Sequence, residues 1–78
     1  SSFNLEVKGA PKVLGKDTLK FWVTDGKRGI SAVGFGMSNF LDVVSSGKRI
    51  DLAYELIVDD WNKAPVPQLK VKDIKISD

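Results

Sequence analysis

The chain has 78 residues with neither cysteine nor histidine, and its 12 Lys and Arg against 10 Asp and Glu leave a net charge of +2. That length makes one domain with a modest core and excludes a two-domain reading, while the missing thiols and imidazoles exclude disulfides, thiolate metal sites and the usual general base. No apolar run approaches the ~20 residues of a membrane span, the start Ser1-Ser2-Phe3-Asn4 has no signal architecture, and a charge this small leaves the placement of basic residues to decide whether nucleic acid is a partner.

Phe3, Leu5 and Val7 alternate with Asn4, Glu6 and Lys8, the period of a strand. Gly9-Ala10-Pro11 interrupts the pattern before Lys12-Val13-Leu14 resumes it, so the first strand is expected to be bent or bulged midway. Gly15-Lys16-Asp17 is a short turn that makes the first and second strands neighbours. The second runs from Thr18 to Thr24 with Leu19, Phe21 and Val23 on its core face and Lys20 and Trp22 on the other. Asp25-Gly26 supplies the backbone angles of a reversal, Lys27-Arg28 lengthen the loop, and the third strand returns over 29–36. Met37, Phe40, Leu41 and Val44 then sit at helical spacing, with Ser38 or Asn39 as caps and Ser45-Ser46-Gly47 as the stop, a helix of about two turns.

From Lys48 the period returns to two, with Ile50, Leu52, Tyr54, Leu56 and Val58 facing one way. The prolines of Asp59-Asp60-Trp61-Asn62-Lys63-Ala64-Pro65-Val66-Pro67 argue for a sizeable loop without ladder pairing. In the last strand, Gln68 to Ile76, Leu69 and Val71 share one phase and Ile74 and Ile76 the other, which a bulge near Asp73 would reconcile. Three strands, a short helix and two strands is the order of an OB-fold, a five-stranded barrel that is all-β apart from one helix (β-β-β-α-β-β). An SH3-like barrel is the competing five-stranded fold, but it usually lacks such a helix at this place. Residues 1–78 are expected to form a single OB-fold domain.

An OB-fold binds ligands on the face of strands two and three, between the loop joining strands one and two and the loop joining strands four and five. Here the first loop brings Lys16, the open face Lys20, Trp22, Ser31 and Val33, and the second loop Trp61, Asn62 and Lys63. Tryptophans interleaved with lysines suit single strands, because unpaired bases stack on aromatic rings at ~1–3 kcal/mol each while ammonium groups attract the phosphates. Plainer roles stand beside these. Trp22 can cover a core edge or lie under a neighbouring domain, Trp61 can be a packing anchor with its indole N–H paired, and Lys70, Lys72 and Lys75 can serve solubility and edge protection. The carboxylates Asp17, Asp25, Asp42, Asp59 and Asp60 mostly fall in turns or at element ends, where Asp bonds the local backbone. Asp59-Asp60 is a weak cation signal without an oxygen-rich loop around it. No catalytic residues are expected in this chain.

Gly15-Lys16-Asp17-Thr18-Leu19-Lys20-Phe21, Ala32-Val33-Gly34-Phe35-Gly36, Gly47-Lys48-Arg49-Ile50-Asp51-Leu52-Ala53-Tyr54, Trp61-Asn62 and Gln68-Leu69-Lys70-Val71-Lys72-Asp73-Ile74 together resemble the OB domain of the RecJ single-strand-specific DNA exonucleases. Thr18, Asp59 and Lys63 depart from the His, Asn and Gly often found there in that family. The resemblance implies a module that helps hold single-stranded DNA, excised from a larger cytoplasmic nuclease. Separate DHH-type phosphoesterase domains of the parent, with manganese or magnesium, would hydrolyse the strand from its 5′ end in repair and recombination. On this reading the module is a monomer whose partners are single-stranded DNA and those catalytic domains, with no membrane and no cofactor of its own. The alternatives are a structural or protein-docking OB domain that positions its neighbours without touching DNA, and an RNA or tRNA binder, since stacking is indifferent to the sugar.

Overall fold

The alternation of apolar and polar residues resolves into five strands in a computed structural model that describes residues 2–59 and 66–78. Strands β1 (Ser2–Leu14), β2 (Thr18–Thr24), β3 (Gly29–Phe35), β4 (Ile50–Asp59) and β5 (Val66–Ile76) close into a barrel in the order β1-β2-β3-β5-β4. All neighbours are antiparallel except β3 and β5, which run parallel. The β3-to-β4 connection carries a 3-10 turn, Ser38–Phe40, that runs directly into α1 (Leu41–Val44). This is the OB-fold with its expected short helix. Among the described residues no helix is long and apolar enough to cross a membrane.

The core follows from the inward phase of each strand. Leu19, Phe21 and Val23 of β2, Ala32 of β3, Ile50 and Leu52 of β4, and Leu69, Val71 and Ile74 of β5 are buried together with Leu5, Met37 and Val44. Each large side chain among them contributes about 1.5–3 kcal/mol by leaving water. Val44 and Met37 bring the helical segment into that cluster, with Phe40, Leu41 and Val43 packed against it.

Three bulges keep the phases compatible with closure. Lys8 to Lys12 covers four positions of β1 against the two from Trp22 to Lys20 on β2, so the Gly9-Ala10-Pro11 interruption is accommodated inside one continuous strand. Gly9, at φ 69°, takes the left-handed conformation that such a step needs. On β5 the register skips Lys72, between the pairs Ala53↔Asp73 and Tyr54↔Val71. The bulge near Asp73 thereby brings Leu69, Val71 and Ile74 into the same core. The third bulge lies where β1 meets β4, between the pairs Ser2↔Leu52 and Leu5↔Ile50.

Four sequence expectations need correction. Phe3 does not share the core face of Leu5, being 72% exposed, because Asn4 adopts φ 59° at the third bulge and reverses the phase. Leu56 and Val58 keep the phase of Leu52 but are mainly exposed, since that end of β4 extends past the barrel wall. Val66 and Pro67 belong to a strand after all, pairing with Asp59 and Val58, as proline is tolerated at the start of a strand. Neither Ser38 nor Asn39 caps the helical segment through its own side chain. Its cap position is Met37, and the capping oxygen comes from elsewhere in the chain.

Candidate nucleic-acid interface

The outward residues of β1, β2, β3 and β5 form three rows across one face of the barrel. Lys8, Trp22, Ser31 and Gln68 are cross-strand partners in the first, Lys12, Lys20, Val33 and Lys70 in the second, and Leu14, Thr18 and Phe35 in the third. Successive rows stand about 6.6 Å apart, two residues along a strand.

Trp22 is half exposed. Its ring leans toward the hairpin end, where a Cβ added to Gly29 would lie 3.9 Å from Cε3, at ordinary contact distance. Beside it Ser31 is nearly buried, and Gln68 Nε2 donates to Ser31 Oγ at 3.4 Å. Trp22 and Ser31 also line a cleft of about 490 Å³ at the barrel mouth, with Leu5, Val23, Ile30 and Leu69 among its apolar walls. Tyr54, on the same cleft, shares a 2.7 Å hydroxyl contact with Ser2.

In the second row Val33 is buried on an outward position between partly buried Lys20 and Lys70. Lysine stems cover such an apolar spot while their ammonium groups remain in water. Lys12, Lys16, Lys20 and Lys70 have no carboxylate within ion-pair distance among the described residues, whereas Lys8 is paired with Glu6 at 3.2 Å. Lys72 and Lys75 are engaged with Glu55 and with Asp51 and Asp78. Among the described residues, the face therefore holds positive charge that no carboxylate pairs with.

The carboxylates hold loops. Asp17 accepts from the Ser38 hydroxyl and from the Ser38 backbone N–H at 3.0 Å, and these bonds lower its pKa. Asp25 accepts the Lys27 N–H at 2.9 Å and the Arg28 N–H at 3.1 Å, which lower its pKa and fix the hairpin loop. Asp51 accepts from the Ser77 hydroxyl and from the Asn4 N–H at 2.8 Å, with Lys75 nearby, and its pKa is lowered too. Among the described residues no group of three or more His, Cys, Asp or Glu comes together as a metal site.

Of the residues singled out from sequence, Lys20, Trp22 and Ser31 lie on this one face, and Lys16 sits in the β1–β2 turn at its far end. Trp61, Asn62 and Lys63 lie outside the described residues. Sequence reasoning did not bring Lys8, Lys12 or Gln68 to this face, and it set Lys70 with Lys72 and Lys75 as solubility and edge protection, whereas register places Lys8, Lys12, Gln68 and Lys70 on the face. The available signal was the parallel return of β5 beside β3, which an OB-fold dictates and which puts Gln68 and Lys70 next to Ser31 and Val33.

The chain is 27% identical over 63 residues to the single-stranded-DNA-specific exonuclease RecJ of Bacillus subtilis (strain 168), a match covering 81% of this chain and 8% of that protein. It thus spans less than a tenth of that relative's length. No solved structure matches it. The RecJ OB domain family matches residues 2–73, from the first strand to the bulge of the last, and the chain belongs to that family.

Proposed function

We propose that the domain binds single-stranded DNA as the OB module of a RecJ-like 5′-to-3′ single-strand-specific exonuclease acting in cytoplasmic DNA repair and recombination. The observation that carries this reading is the half-exposed Trp22 set on one strand face beside Lys12, Lys20 and Lys70, which have no carboxylate within ion-pair distance among the described residues. An exposed indole offers a stacking surface to any unpaired base, and ammonium groups beside it track the phosphates. The similarity to a single-stranded-DNA-specific exonuclease supports DNA as the ligand. Hydrolysis is assigned to other domains of the longer parent chain, which would hold manganese or magnesium. The module itself works as a monomer that grips the strand alongside them, and linked surfaces make up for the weakness of each.

The test is titration of the chain with fluorescein-labelled oligo-dT at low salt, read by anisotropy. Binding that weakens with added salt and with Trp22→Ala supports the reading. No binding at millimolar oligonucleotide removes it. Replacing oligo-dT with oligo-U separates a DNA from an RNA preference.

A docking role has its own observation. Leu56, Val58 and Val66 are each more than half exposed where β4 and β5 run past the barrel. A neighbouring domain of the parent would cover such an apolar arm. In that case Trp22→Ala leaves oligonucleotide binding unaltered, and paired substitutions at Leu56 and Val58 loosen the parent protein instead.

A further inference from the structure

Phe35 is an aromatic side chain that neither the core nor the proposed stacking site uses. It points outward at the end of β3 and is 61% exposed, opposite Thr18 and on the same face as Trp22. The Phe35 Cα lies about 14 Å from that of Trp22, four residues along and one strand across. Between the two rings runs the row of Lys12, Lys20 and Lys70.

The surroundings of Phe35 fix its position. On one side Gly34 accepts the Met37 side chain against its backbone, since an added Cβ would stand 2.8 Å from Met37 Sδ. On the other, Gly36 turns the chain at φ 69° and the Met37 N–H donates to the Asp17 carbonyl at 3.1 Å. The benzyl group is thereby presented from a rigid corner, with Leu14 two strands away in the same row and Lys16 in the adjoining turn. A large apolar ring held in water beside a row of ammonium groups suits a partner that offers flat apolar surface and negative charge together. Unpaired nucleotides have both.

We infer that Phe35 is a second base-stacking platform, so that a single strand crosses the face from Trp22 to Phe35 with its backbone over Lys12, Lys20 and Lys70. This rests on the single-strand reading above and extends it from one contact to a path. The span is short enough for a few nucleotides, within the roughly 4–16 that one OB-fold occupies.

The experiment compares wild type, Phe35→Ala, Phe35→Leu, Phe35→Trp and Trp22→Ala in titrations with an oligo-dT long enough to cover both rings. Loss of one stacked base predicts roughly 5- to 150-fold weaker binding for Phe35→Ala. Phe35→Leu, which keeps apolar bulk without a π-face, stays weak, whereas Phe35→Trp restores binding. Phe35 ring protons shift upfield in NMR spectra when the oligonucleotide is added. Binding by Phe35→Ala within twofold of wild type, with Trp22→Ala still weak, overturns the second platform and leaves the DNA-binding reading intact. Full rescue by Phe35→Leu also overturns it, since plain apolar contact then suffices. No binding by wild type sinks both readings. Because the ring is mostly exposed, the variants are expected to keep wild-type melting behaviour, which circular dichroism checks.

Discussion

Asp17 and Ser38 are 21 positions apart, yet one carboxylate oxygen of Asp17 receives both the backbone N–H and the hydroxyl of Ser38. The turn between β1 and β2 thus supplies the cap for a helical segment that begins after β3. One side chain couples the loop bearing Lys16 to the plug of the barrel, and the Met37 N–H bond to the Asp17 carbonyl doubles the tie. Asp17→Ala is expected to lower the melting temperature by a few degrees and to speed amide exchange at Ser38. Asp17→Asn, which keeps an acceptor, loses less. Melting curves and exchange at Ser38 check both, and equal exchange in wild type and Asp17→Ala would remove the capping role.

Acid should weaken the fold by a defined route. The hydrogen bonds at Asp17, Asp25 and Asp51 favour their ionised forms and lower each pKa in the folded chain. The unfolded chain therefore takes up protons first as pH falls through about 4, and stability falls with it. Above about pH 5 these carboxylates are ionised in both states and add no pH dependence. With no histidine in the chain, stability should remain flat from there to neutrality. Asp51 ties Asn4 near one end of the chain to Ser77 near the other, so Asp51→Asn should flatten part of the acid slope while changing the neutral-pH stability by less than Asp51→Ala. Urea midpoints between pH 7 and pH 3 measure it.

Most of the barrel was legible in the sequence because its signals are local. Asp25-Gly26 between two alternating runs gives the hairpin, and the phase change between Val71 and Ile74 gives the bulge of β5. Phe3 was misplaced because a single left-handed residue, Asn4, reverses a two-residue alternation without marking it in the pattern. The cap at Ser38 was invisible for a different reason: its acceptor is remote in sequence, so no spacing rule reaches it. The site was half legible. Trp22 and Lys20 share a strand face by alternation alone, but Lys12 and Lys70 join them only through inter-strand register, a tertiary property.

Gly34 is required by contact rather than by backbone angle. An added Cβ would meet Met37 Sδ at 2.8 Å, Cβ at 3.1 Å and Cγ at 3.3 Å, so a methyl group there pushes the start of the helical segment away from β3. Gly34→Ala is expected to cost about 1–3 kcal/mol, the range for overpacking a close contact. Met37→Ala alone leaves a cavity and costs about 2–5 kcal/mol. The double variant should cost less than the sum, because truncating Met37 removes the contacts at Sδ and Cγ and leaves only the 3.1 Å contact at Cβ. Denaturant unfolding of the four proteins completes the cycle, and strict additivity would show that the two side chains do not compete for the same space.

The lysine row makes a prediction about salt that is separable from stacking. Each ammonium group paired with a phosphate of a single strand contributes about 0.7 to the slope of log affinity against log salt. Lys20→Ala and Lys70→Ala are each expected to reduce that slope by about 0.7. The effect should be alike for oligo-dT, oligo-dA and oligo-dC, because phosphates carry no base identity. Lys75→Ala is the control, since Lys75 is engaged by Asp51 and Asp78 at 3.8 Å each and pairs with β4 beyond the β5 bulge, away from the face. Trp22→Ala should lower affinity at every salt concentration while leaving the slope near its wild-type value, because the lost term is stacking rather than counterion release. If Lys75→Ala flattens the slope as much as Lys20→Ala does, the strand does not follow the row between Trp22 and Phe35, and the positive charge acts only as a diffuse attraction.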